Sequence, residues 1–137
     1  MAKRMSNSTL AIWAVVVVAS GLLVWQAQKS AVPETTVAVT VPTLSSKARA
    51  GQTVFEKNCK VCHGKDAGGS SNGPPLVHVA YEPNHHADFS FVMAAKRGVR
   101  AHHWSFGNMP PVSGVSDDQI GQVITYIREL QRANGIN

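Results

Sequence analysis

Two cysteines are all that this 137-residue sequence contains, at positions 59 and 62. A structural zinc takes four Cys or His ligands at short spacings, and no second cysteine pair is present to complete such a set. A disulfide between the two would close too small a loop to stabilise much. Strand-like and helix-like stretches do not alternate, which removes the βαβ setting of a thioredoxin-like C-x-x-C. Aromatic residues make up only 7% of the chain, so few large side chains are available to fill a core. A basic stripe is missing as well. The formal charge of +5 is weighted toward residues 1–47, where four cations face one acid; beyond them nine cations face seven acids. That distribution gives no footing to nucleic acid as a partner.

Long apolar runs are limited to one, at the start. Thr9 to Trp25 is uninterrupted by charge, and Lys3 and Arg4 precede it. Its seventeen residues sit at the short edge of what spans a bilayer, where about 20 is typical. The positive-inside rule keeps the basic end cytoplasmic, and Trp25 suits an interface. A cleaved export signal has the same outline, but a cut after Ala27 would place Trp25 where a small residue is wanted. The reading is therefore an uncleaved single-pass anchor at residues 1–25, with the remainder exported. Residues 26–44, rich in Pro, Thr and Val, read as an extended tether. Val37, Val39 and Val41 alternate with period 2, yet a lone strand without a partner in the chain is improbable.

From residue 45 onward the pattern is helical. Ser45 or Ser46 caps a first helix through Lys57, with Gly51, Val54, Phe55 and Cys59 at helical spacing. Gly51 costs that helix about 1 kcal/mol relative to alanine, a cost offset where another helix approaches closely. The last helix is the candidate for that approach. Ser116-Asp117-Asp118-Gln119 is a capping-box signature, and Ile120, Val123, Ile124, Ile127 and Leu130 form one apolar stripe behind it. Arg128 and Arg132 suit its negative end, and Gly135 stops it. A middle helix is expected from Phe89 to Arg97, capped by Asp88 and closed by Gly98.

Between the first two helices stands Cys59-Lys60-Val61-Cys62-His63, the C-x-x-C-H pattern of covalent c-type haem attachment. Two thiols three positions apart can each add to one vinyl group, and the histidine is then held beneath the iron. Haem iron takes a histidine on one face and a methionine on the other in cytochromes c, which raises the reduction potential. One covalent haem would also supply much of the core that the few aromatics cannot.

Taken together, residues 45–137 resemble a class I cytochrome c domain. The resemblance implies an all-α fold around one haem, with the first and last helices crossing near Gly51, Phe55 and Tyr126. It also matches Gly73-Pro74-Pro75-Leu76 to the family's Gly-Pro-x-Leu run. Carried over, the Pro74 carbonyl accepts the proton of His63 and Leu76 packs on the haem. A second-shell acceptor of this kind fixes ring orientation and tunes basicity. The sixth iron ligand is then Met109, in Gly107-Asn108-Met109-Pro110-Pro111 just before the last helix, where prolines stiffen the loop. Met93, in the middle helix, reads as core filler.

Histidine is the one residue in excess. His78, His85, His86, His102 and His103 accompany His63. The plain reading is loop histidines making surface hydrogen bonds. A second gives His103 and Trp104 a docking or propionate-bonding role. A third is a second metal such as copper at His85, His86, His102 and His103, since imidazole suits copper, zinc and nickel. Against it, adjacent histidines in extended chain point to opposite faces, and no carboxylate or thiol ligand is obvious.

The function expected from the whole is single-electron transfer on the periplasmic side of a bacterial inner membrane. His63 and Met109 saturate the iron, so no catalysis is expected and redox proteins are the partners. Two alternatives stay open: the cytochrome subunit of a nitric oxide reductase or terminal oxidase, and a haem sensor or enzyme with an open sixth site.

Overall fold

A computed structural model describes residues 36–137 throughout and, before them, only Trp13, residues 15–23 and Trp25. The chain divides into two units, Met1–Val32 and Pro33–Asn137. In the first, every described residue is helical. Among the described residues no helix is long and apolar enough to cross a membrane. The expected span lies partly, and tether residues 26–35 wholly, outside the described residues.

The second unit is helical. Helix α1 (Ser46–Asn58) runs into a single turn, α2 (Lys60–His63), and then a 3₁₀ turn at Lys65–Ala67. A second 3₁₀ turn at Val79–Tyr81 leads to α3 (Asp88–Arg97), and α4 (Asp117–Ala133) closes the chain. Apart from an isolated bridge between Val99 and Met109, the described residues form no strand pairing.

Local chemistry accounts for the helix ends. The Ser45 hydroxyl accepts the Ala48 N–H, so α1 begins one residue after it. Ser116 and Gln119 complete a reciprocal capping box on α4, with Asp117 and Asp118 at its positive end. The cap expected for α3 is corrected: Ala87 holds the N-cap position in extended backbone, and Asp88 is the first helical residue. Its carboxylate instead accepts from Arg128 at 2.8 Å.

Helices α1 and α4 pack closest at Gly51. A Cβ built there would lie 2.0 Å from the Gln122 carbonyl oxygen, so only glycine permits the approach. Beside it Phe55 and Tyr126, both fully buried, meet with ring centroids 5.6 Å apart. The apolar stripe of α4 turns inward as its period requires, burying Ile120, Ile124, Ile127 and Leu130.

Residues 36–44 form neither helix nor strand, as suits a tether, but they are held on the domain. Val37 N–H donates to Gly68 O at 2.7 Å, and the Asn134 side chain exchanges two hydrogen bonds with Thr40. Val37 and Val39 pack against the core on alternate positions, and Leu44 is buried within it. The period-2 pattern therefore has a partner after all, in a loop and a helix end rather than a second strand.

Candidate cofactor site

The turn α2 follows α1 with hardly a break. Cys62 and His63 both donate their backbone N–H to Cys59 O, which puts the two cysteines one turn apart on the same short helix. Both thiols are free and half-buried, while Val61 between them is 75% exposed. Burial pushes the Cys59 thiol up to about 11, and the neighbouring Cys62 adds to the shift.

His63 is buried, with Nδ1 2.9 Å from Pro74 O. A carbonyl only accepts, so Nδ1 carries the proton and Nε2 keeps its lone pair. Burial holds the imidazole below its ordinary value of 6.5, partly offset by that same hydrogen bond. The loop that delivers Pro74 is closed onto α2 by several backbone contacts. Gly69 N–H donates to His63 O, Ser70 Oγ to Cys62 O, and Leu76 N–H to Ala67 O. Asp66 and Ala67 both adopt left-handed backbone to make this turn, with φ of 51° and 58°. The Pro74 contact inferred by resemblance is thus present in the geometry.

Above these residues lies a cavity of about 490 Å³. Its lining includes Cys59, His63, Pro74, Leu76, Met93 and Met109, joined by apolar side chains from α3 and α4. Five of the six residues expected at the site therefore share one cavity; Cys62 lies beside Cys59 without being part of the lining.

Met109 is placed by its backbone. Val99 and Met109 exchange both N–H···O bonds at 2.9 Å, and Val112 N–H donates to Ala95 O. These bonds clip the methionine loop to the end of α3. Gly98 turns the chain there at φ 75°, and a Cβ on it would lie 2.4 Å from Met109 O. Prolines were the only stiffening visible in the sequence; the ladder to Val99 was not, because its partners are ten residues apart with no pattern joining them.

Arg128 is the residue the sequence reading misplaced. Expected to favour the negative end of α4, it lies short of the last turn and is buried. Its guanidinium donates to Asp88, to the Tyr81 and His86 carbonyls and to Gln131 Oε1, and it lies over the Phe91 ring. Gln131 in turn donates to the Leu76 and Tyr81 carbonyls. This network ties α4 to two loops of the cavity wall. A long basic side chain at a helix end looks solvent-directed in sequence, and only tertiary proximity reveals otherwise.

The histidines do gather. His85 and His86 sit in a turn rather than an extended stretch, so both rings reach the same place, and His102 and His103 arrive from the loop after α3. His85 Nε2 and His103 Nε2 are 3.3 Å apart. Trp104 stacks edge-on against His78, and its Nε1 is buried without a well-aligned acceptor.

These residues fit a haem. Two unpaired thiols one turn apart, a buried imidazole with Nε2 free and a large apolar cavity are what covalent attachment and axial ligation require. A family model described as cytochrome c matches residues 48–131. No curated protein matches the chain.

Proposed function

The chain belongs to the cytochrome c family, and on that premise we propose that it is a membrane-anchored monohaem carrier of single electrons, whose iron His63 and Met109 would hold. The observation that carries the reading is the shared cavity, which gathers Cys59, His63, Pro74, Leu76 and Met109 from three separate segments.

When bound, haem supplies an iron that cycles between Fe(III) and Fe(II). The chain's own residues attach, orient and seal. Cys59 and Cys62 offer the thiols for two thioether bonds. His63 offers Nε2, its ring fixed by the proton held on Pro74 O. Met109 offers a thioether from a loop whose backbone is already ordered by Val99. With both residues holding the iron no position would be left for substrate, which fits a carrier and not a catalyst. The cavity walls are largely apolar, and a transient redox partner would dock over a small surface at its edge.

The placement at the membrane rests on the sequence. The run from Thr9 to Trp25 with Lys3 and Arg4 before it suits a short anchor, and the described part is helical with Trp13, Val15 and Leu23 more than half exposed. Haem attachment on the periplasmic side of a bacterial inner membrane agrees with that orientation.

Intact mass and absorption test the central assignment. The natural chain should carry one haem through two thioethers. Cys59→Ala and Cys62→Ala should each lose normal double attachment. A two-thioether haem surviving either substitution would refute the site.

A further inference from the structure

We propose that His85, His86 and His103 form a binding site for a late first-row transition-metal ion at the rim of the haem cavity. One ring nitrogen from each lies within 4.8 Å of the other two. Two nitrogens bound to one tetrahedral ion at about 2.0–2.1 Å stand about 3.3–3.4 Å apart. His85 Nε2 and His103 Nε2 stand 3.3 Å apart, already at that spacing. As a hydrogen bond between two rings, the same distance is long.

The surroundings point the same way. The His85 ring lies 4.7 Å from His86 and 5.1 Å from His103, centroid to centroid, so three imidazoles crowd one spot. The carboxylate closest in sequence, Asp88, is engaged by Arg128, which also holds the His86 carbonyl. Charged imidazoles here would face one another and a guanidinium; neutral ones present lone pairs. His86 Nδ1 is buried without a hydrogen bond of good geometry, although the Ala80 backbone lies close enough to act on the ring. His102 stacks on His86 with ring centroids 5.9 Å apart. Its Nδ1 is 2.8 Å from Arg100 O and must carry the proton, which leaves its Nε2 lone pair free beside the site. Electron transfer through His63 and Met109 uses none of these rings.

An all-imidazole set selects the ion class. It suits zinc, copper or nickel and not calcium or magnesium, which take oxygen ligands. Three ligands and a further imidazole nearby match a site with one open position.

The test uses the full holo chain without a polyhistidine tag, stripped by chelator and dialysed against micromolar Zn²⁺. Metal and haem are then quantified in the same sample. One zinc per haem is expected, and His85→Ala should weaken its binding at least about tenfold. His85 is exposed and is not among the residues that line the haem cavity, so haem content and the reduced spectrum should stay unchanged. His78→Ala, outside the trio, should bind as the natural chain does. A natural chain that takes up no stoichiometric zinc, or a His85→Ala variant that binds it equally, overturns the site. Haem content in those samples reads the cytochrome assignment separately.

Discussion

Arg128 shows how one side chain can brace a cavity that it does not ligate. Its planar fork serves the Asp88 carboxylate, two backbone carbonyls and Gln131 at once. Removing it strips the donor from the His86 carbonyl and from Gln131 Oε1, while the Tyr81 carbonyl keeps Gln131, at about 1–3 kcal/mol for each buried group left unpaired. Arg128→Lys cannot compensate, because a point ammonium cannot reach partners in three directions. We expect either Arg128→Lys or Arg128→Ala to lower stability by about 2–4 kcal/mol in denaturant melts, allowing for the exposure of Asp88. A lysine variant as stable as the natural chain would show that the network is ornamental. His63 and Pro74 were legible at this scale because the pentapeptide and the Gly-Pro-x-Leu run are local. Arg128 was not, since its partners lie some forty residues upstream.

At the scale of the element, the start of α1 depends on α4. Glu129 accepts from Ser45 through both N–H and Oγ, so it holds the residue that caps α1. Burial alone would raise the Glu129 carboxyl; the two Ser45 hydrogen bonds, helped by Arg132 and Arg49, bring it below its ordinary value of 4.5. An acid depressed in the folded state contributes stability above its unfolded value and loses it as pH falls through the folded one. Stability should therefore decline below about pH 4.5, and Glu129→Gln should flatten that part of the profile. Urea melts across about pH 3–6 check it. Ser45→Ala should cost about 1 kcal/mol at neutral pH through the lost cap. The helices themselves were readable: capping signals at Ser45 and Ser116, the stripe on α4, and Gly51 where the helices touch. Asp88 misled because a carboxylate at a helix start serves equally as cap or as ion-pair partner. Which it becomes is decided by Arg128, on another element.

For the whole molecule, the boundary of the folded unit lies upstream of where helical periodicity begins. Leu44 is in the core, Val37 and Val39 pack on it, and Asn134 clasps Thr40. A chain beginning at Pro33, exported behind a cleavable signal, should be more stable than one beginning at Ser45 by about 2–3 kcal/mol. Equal melting of the two would mean that the extended segment adds nothing. Alternating valines announced an extended conformation, but no sequence pattern names a loop at Gly68 as its partner. The gathered histidines were hidden for the same reason: two pairs, seventeen residues apart, meet only because the chain folds back after α3.

The measurement that bears most directly on the account is the optical spectrum of the holo protein, oxidised and reduced, with and without carbon monoxide. A c-type reduced spectrum, a far-red methionine-to-iron band when oxidised, and no change with carbon monoxide are predicted for iron closed by His63 and Met109. Met109→Ala should lose the far-red band and admit carbon monoxide while keeping its haem. If the natural protein itself lacks the band and binds carbon monoxide readily, the sixth position is open. A closed electron carrier would then be the wrong description.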